Sequence, residues 1–534
     1  MRRMRWPLGA ALSAVLMLSA CSDGDGNAVQ PGDSGTEKKV EKKKITVSIY
    51  DRSSIPEGEG SYEKNRWTEW INENGPEDVE VEFVAIPRWQ SRDKLNAMFA
   101  AGNAPDLIIE YAADIRNDLV SQRLVMPLDE LIEEHSVYYK QLIEQYPNLA
   151  AMSTKEDGKN YMVGRISPLD INHFVLIRKD WLDALNLSVP TTPEELLAVA
   201  TAFAKQDPDN NGQHDTYGIA LSGSSKNIIT YAYRSIYPVL DDNLEYTTLW
   251  EQTKASYELK KQLYDAGAVD RDFLTDTEGK KAEEDFISGR LGIWGGNFSA
   301  AKMEAFMKAV PDGELQVIAL PKTEFGHYAP ELNSPLAPIA VINTNAKHPD
   351  AVMKYIDFIT DPETAHVLQY GIEGEHWEEG PNGCPVTIDE EKFKKEVDWN
   401  RDYMIRSAFL DPCANMKKAE MNEYEAAFDR LLEDARQMYL RPEMPVPYSV
   451  SLNTVPTLPP ELLLIKQNAE MSMNDIWVKS IITPGYSTET ALNDAQNIWK
   501  SSGGEQVDEF NSDWFSQNKN MLVEVTDWYQ YKVE

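Results

Sequence analysis

Three short apolar runs near the start of the chain, spaced by stretches of helical period, constrain the fold more than any other feature. ITVSIY at 45–50 alternates apolar and polar residues, and VEVEFVAI at 79–86 sets Val79, Val81 and Phe83 against acidic neighbours. PDLIIEY at 105–111 is continuously apolar. Between them, Trp67, Trp70 and Ile71 fall at helical spacing, and a helix over 92–101 puts Leu95, Met98 and Phe99 on one face before Gly102 stops it. Strand, helix, strand, helix, strand predicts a parallel sheet covered on both faces.

The middle of the chain repeats the alternation. A strand is expected over 174–177, then a helix opened by Thr192 as N-cap, Pro193 at the first helical position and Glu195 three residues on, a capping box. AEEDFISGRLGIWGGNF reads as a helix stopped at Gly289, a strand over 291–294 and a Gly-Gly turn. LAPIAVINTN is a further strand, and helical stretches follow around Pro349 and Pro362, the second ended by Gly371. Beyond Cys413 the pattern is mostly helical, for instance over 461–479. No short-period repeat is present. The class is α/β.

The first residues read as a signal rather than as fold. A basic Met1–Arg5 region and an apolar run over 6–18 lead to Leu18-Ser19-Ala20-Cys21, small residues before a cysteine as in a bacterial lipobox. Residues 1–20 are thus expected as a lipoprotein signal, with Cys21 lipidated. Residues 22–44 hold almost no apolar side chain and are expected as a disordered tether. The remaining ~490 residues are too many for one core and suit two lobes.

A formal net charge of −35 argues against nucleic acid and anionic lipid as partners. Among 7 histidines there is no HExxH, and Cys384 and Cys413 are left as a pair free to oxidise outside the cell or to stay reduced. The 13 Trp and 24 Tyr suit core packing, and equally the stacking of sugar rings.

DPDNNGQHDTYG follows the Thr192 helix. With Asp207 as position 1, Asp209, Asn211, the Gln213 carbonyl and Asp215 fall at positions 3, 5, 7 and 9 of a calcium loop, and Gly212 sits at the bend. Position 12 is Gly218 instead of a bidentate Glu, and position 10 is Thr216, so the set is one strong ligand short. A structural calcium ion and a hydrated Asx-rich turn are the two readings.

Seven segments in order resemble one family: the lipobox, NAMFAAGNAPDLIIEY, FVLIRKDWLDALNLSVPTTPEELLAVATAF, DPDNNGQHDTYGIAL, FISGRLGIWGGNF, INTNAKHPDAVMKYIDFI and LQYGIEGEHW. They are similar to the family 1 extracellular solute-binding proteins of ABC importers. The closing segments look most like the large lipoproteins of the LipO or LplA type. The resemblance implies a type II two-lobed periplasmic-binding-protein-like fold, each lobe a mostly parallel sheet flanked by helices, with a helical C-terminal extension. It implies crossovers near 162–165 and 336–341. The first lobe would hold 45–163 plus about 337–372, and the second 164–336 plus about 373–534. A monomer would capture an oligosaccharide, without catalysis, and deliver it to an ABC permease and ATPase. It would be lipid-anchored at the outer face of a Gram-positive cell membrane.

Ligand sites in such sheets lie just past the carboxyl ends of strands. That rule nominates Asp51, Glu110 with Tyr111, and Trp294 with Asn297. Asn172 and His173 follow the first crossover, and Trp377 offers a stacking platform. Each could equally be core or plain surface. A lipid-anchored glycoside hydrolase, which needs two carboxylates about 5 or 6.5–9.5 Å apart, and a peptide-binding importer receptor are the alternatives.

Overall fold

The computed structural model describes residues 42–235, 240–241, 243–414 and 421–531. The expected signal, the expected lipidation site Cys21 and the expected tether up to residue 41 lie outside them. The described strands are β1 (Lys43–Asp51), β2 (Val79–Pro87), β3 (Leu107–Glu110), β4 (Val163–Ile166), β5 (Phe174–Arg178), β6 (Tyr217–Ile219), β7 (Leu291–Gly296), β8 (Leu315–Val317), β9 (Leu336–Ile342), β10 (Trp377–Glu379) and β11 (Pro385–Thr387).

Two principal sheets form, ordered β2-β1-β3-β9-β4 and β6-β7-β5-β8. In β1 the alternation buries Ile45, Val47 and Ile49; in β2 it buries Val79, Val81 and Phe83 and exposes Glu80 and Glu82. The continuously apolar β3 is buried along its whole length, as a strand covered on both faces must be. β1 begins two residues inside the expected tether, because Lys43 pairs in register with Val79 and its amide donates to Asp78 O.

The α/β architecture is as expected, but the sheets are mixed rather than mostly parallel. β1 runs parallel to β2 and β3, whereas β9 lies antiparallel between β3 and β4. In the second sheet β6 and β7 are parallel, and β5 is antiparallel to both β7 and β8. The chain leaves the first sheet through β4 and re-enters through β9, so these neighbours run in opposite senses.

The Gly-Gly turn is absent. β7 continues through Gly295 and Gly296, which pair with Val175 and Phe174. A Cβ on Gly295 would stand 2.9 Å from Ile228, and one on Gly296 would stand 2.6 Å from the Trp294 ring. These glycines admit close neighbours instead of reversing the chain.

The helix Pro193–Lys205 is capped by Thr192, whose hydroxyl accepts from the Glu195 amide. Glu195 reaches one residue further back than a capping box requires and accepts from the Thr191 amide at 2.7 Å. The C-terminal part divides its contacts. The helix Glu423–Tyr439 packs beside Ala300–Ala309 and β8 of the second sheet. Tyr403, expected in the second lobe, instead meets Phe83 of β2 edge-on at 5.1 Å. Cys384 and Cys413 are joined by a disulfide, with Cα atoms 5.5 Å apart.

Candidate functional site

A cleft of about 1060 Å³ opens between the two sheets. Arg52, Arg88 and Tyr111 reach it from just past β1, β2 and β3, and Asn297 from just past β7. Arg165 of β4, Asn172 and His173 before β5, and Glu331 and Asn333 before β9 complete its middle. Tyr448, Asn453 and Trp528 come from the C-terminal region.

On the first-sheet side, Asp402 organises two of these groups. Arg52 Nε donates to its Oδ2 at 2.5 Å, and Tyr111 Oη donates to its Oδ1 at 2.6 Å. The Arg52 guanidinium lies 5.0 Å over the Tyr111 ring. Burial pushes the Asp402 carboxyl up, but the hydrogen bonds from Arg52 and Tyr111 and the charges of Arg52 and Arg165 together outweigh that and hold it below its ordinary range. Arg165 Nη2 donates to the carbonyls of Arg401, at 2.8 Å, and Met404, while its buried Nε has no partner. On the opposite wall, Glu331 accepts from Asn172 Nδ2 at 3.2 Å and Tyr231 Oη at 3.0 Å, and stands 3.1 Å from His173 Nδ1. Asn297 Nδ2 donates to the Asn172 carbonyl at 3.2 Å.

Behind Asn117 and Asn453, which line the cleft, two cations are shut away from water. Arg116 is 0 % exposed and donates to Asn117 Oδ1 and, at 2.6 Å, to Asn453 Oδ1. Lys155 is 4 % exposed, and its Nζ donates to Asn117 Oδ1 at 2.9 Å and the Asn453 carbonyl at 3.2 Å. Burial pushes Arg116 down to about 9 and Lys155 down to about 7. Among the described residues the buried Lys and Arg side chains are Arg116, Lys155, Arg178 and Lys260, and only Arg178 has an ion pair, with Asp180. A desolvated cation without a counter-charge is costly, and an anion beside it recovers that cost.

Of the residues nominated from sequence, Tyr111, Asn172, His173 and Asn297 come together at the cleft. The other four do not line it. Asp51 turns back to accept from the Ser53 amide at 2.8 Å. Glu110 is 1 % exposed beneath Tyr111, accepting from Tyr50 Oη and the amides of Tyr111 and Ala112; burial pushes it up to about 7. Trp294 is 4 % exposed and stacks on Phe286 at 5.5 Å, since Gly296 lets the indole fold into the core. Trp377 sits on the β10–β11 hairpin, edge-on to His366 at 5.2 Å, with its Nε1 donating to Gly371 O.

Missed from sequence were Arg52, Arg88, Arg165, Glu331 and the Arg116–Lys155 pair. Two of these were within reach. β1 and β2 run one residue further than the alternation suggested, so the strand-end rule applied to Asp51 and Pro87 selects Arg52 and Arg88.

In the loop after Lys205, Asp207 accepts from the amides of Asn211 and Gly212 at 3.2 and 3.0 Å. The Asn211 side-chain amide donates to Asp209 at 2.9 Å and Asp215 at 3.4 Å, so both carboxylates face one point. Gln213 donates its amide to Asn211 Oδ1 at 2.7 Å. Burial and then Asp207 raise Asp209 above its ordinary value, as a site wanting positive charge would show. No side-chain ligand can come from position 12: a Cβ on Gly218 would stand 2.0 Å from Ala200 O. Thr216 is also engaged, donating to Phe203 O at 2.8 Å. The donor set therefore suits calcium in type but supplies few protein ligands. Elsewhere, Glu375, His376 and Glu396 converge, but Lys392 and Arg66 already neutralise the two carboxylates.

A deep polar cleft between two sheets, with donors converging from both, defines a small-molecule binding protein. The bacterial extracellular solute-binding protein family model matches residues 60–366, and the chain belongs to that family. Its task is capture of a solute outside the cell, not catalysis.

The polygalacturonan/rhamnogalacturonan-binding protein YtcQ of Bacillus subtilis is 27% identical over 94% of this chain and 96% of its own. Lipoprotein LipO of the same organism is 21% identical, covering 95% and 97%. Among solved structures, the alginate-binding protein AlgQ2 matches with TM-score 0.66 at 17% identity, covering 90% of this chain and 98% of that one. The Streptococcus pneumoniae substrate-binding protein FusA with kestose matches with TM-score 0.63 at 17% identity, covering 90% and 100%. These likenesses show the fold.

Proposed function

We propose that the protein captures a carboxylate-bearing oligosaccharide in this cleft and delivers it to the permease of an ABC importer. The carrying observation is the unpaired positive charge gathered at the cleft of a chain whose formal net charge is −35. Arg88 and Arg165 line it, and Arg116 and Lys155 back it, none with a carboxylate in ion-pairing reach among the described residues. A carboxylated ligand supplies what these groups lack, while Asn172, Asn297, Asn333 and Tyr111 suit its hydroxyls. The YtcQ relative, named for two uronate polymers, supports the same chemistry.

The finer parts of this reading rest on the sequence. A lipid on Cys21 would hold the body at the outer face of the membrane, and the two sheets with their helices would close as lobes around the sugar. Asp207, Asp209, Asn211, Gln213 and Asp215 would hold a bracing calcium ion, with water filling the positions that Thr216 and Gly218 leave. The protein would act as a monomer.

The test is a thermal-shift panel on the chain from Ser22, with uronate oligomers, neutral oligosaccharides and peptides, and recovery of the ligand afterwards. At a hundred times its dissociation constant a ligand stabilises by about 2.7 kcal/mol. Uronate oligomers should raise the melting point and return intact. A shift with neutral sugars alone would remove the acidic substrate, and cleaved products would remove capture itself.

A further inference from the structure

The third buried cation without an ion pair, Lys260, is in none of the cleft walls. It is 7 % exposed and lines a separate recess of about 300 Å³. The recess lies between the helices Trp250–Asp265 and Pro460–Ile482, with Trp499 and Asp508 closing one side. Lys260 Nζ donates to Thr230 Oγ1 at 3.2 Å and stands 4.4 Å over the Tyr257 ring, which in turn stacks on Trp477 at 5.2 Å. Trp250 and Trp499 are half-buried and line the same space. Asp508 is already occupied, accepting from Trp499 Nε1 at 2.7 Å and Tyr246 Oη at 2.9 Å. Among the described residues neither carboxylate of the recess, Asp508 or Glu470, forms an ion pair with Lys260.

The recess adjoins the cleft. Glu470 borders both, and its partner Lys466, 3.0 Å away, borders the cleft. Flat indole faces beside a desolvated lysine amine, which burial holds down to about 7 and which an anion would recharge, suit one chemical unit: a pyranose ring that carries a carboxylate. The volume is under a third of the cleft's, so it suits the end of a chain and not a second ligand of equal length.

We propose that this recess is a distal subsite, taking one terminal uronate residue of an oligosaccharide whose other residues fill the cleft. Its ring lies against Trp250 and Trp499, and its carboxylate pairs with Lys260. The subsite rests on the acidic-oligosaccharide reading and adds a length preference to it. Short oligomers confined to the cleft gain nothing from Lys260, and those long enough to pass Glu470 do.

The test is calorimetric titration of the chain from Ser22 with galacturonate oligomers of increasing length, on wild type, Lys260→Met and Trp250→Ala. Wild type should gain about tenfold in affinity at one length step, and both variants should lose that step while matching wild type on shorter oligomers. Variants that equal wild type at every length, or that lose equally at every length, overturn the subsite and leave the parent reading standing. A wild type that binds no uronate oligomer overturns both. A gain retained with oligomers whose terminal carboxyl is reduced also overturns the pairing with Lys260.

Discussion

Lys155 gives the proposed ligand charge a signature in protons. Its amine is held down to about 7 by burial first and by neighbouring Arg116 second. Asn117 stands between it and the cleft. A ligand carboxylate bonded to the far side of that amide lies about 6 Å from Nζ, where two unit charges interact with about 3 kcal/mol at an effective dielectric of 20. That raises the lysine by about 2 units on binding. The sign follows from proton counting. Free protein has lost this proton by pH 8 and bound protein has kept it, so binding takes up about 0.8 proton there. Affinity is then greatest below pH 7 and falls by up to ~50-fold as pH rises to 9. The same depressed group makes its own contribution to ligand-free stability rise from about pH 7 toward 10.5. Calorimetry at pH 8 in buffers of differing ionisation enthalpy reads the uptake directly. With an oligomer short enough to stay in the cleft, out of reach of Lys260, Lys155→Met should still bind, through Arg88 and Arg165, but with the uptake lost and a flat profile over pH 7–8. Wild type without proton uptake, or a variant that keeps it, refutes the reasoning.

Three further outcomes follow from local structure. Replacing Cys384 and Cys413 by Ser opens a loop of 29 residues and should lower stability by about 3.5 kcal/mol in denaturant titration. Thr192→Ala removes the hydroxyl that accepts from the Glu195 amide and should cost about 1 kcal/mol by the same assay. Millimolar calcium should raise the melting point of the wild type but not of Asp209→Asn, whose gain is lost with the carboxylate; equal gains in both would remove the ion from this loop.

The sheets were legible where burial imposes a period, as in β1 and β2, or complete coverage, as in β3. Direction was not, because nothing in Leu336–Ile342 tells whether its neighbours run with it or against it. The Gly295-Gly296 pair reads locally as a turn, and only Ile228 and the Trp294 ring, brought in by tertiary packing, show why glycine is needed. The cleft was half legible. Tyr111, Asn172, His173 and Asn297 follow from strand ends, while Arg52 and Arg88 slipped away by one residue at the ends of β1 and β2. Arg116 and Lys155 carry no local mark at all. In sequence they resemble any solvated cation, and their meaning comes from burial behind Asn117 and Asn453. Trp377 and Trp294 show the converse, aromatic residues that look free to serve as platforms but pack on near neighbours in the chain, His366 and Phe286.

The central claim is that positive charge at the cleft selects a carboxylated sugar. The most direct measurement is the affinity of the chain from Ser22 for one uronate oligosaccharide and for the same molecule with its carboxyl groups reduced to alcohols, at low and moderate salt. Each charge-assisted contact contributes about 1.5–3 kcal/mol, so the acid should bind at least tenfold more tightly, with the advantage shrinking as salt rises. Equal affinity for both molecules, or preference for the reduced one, would contradict the account.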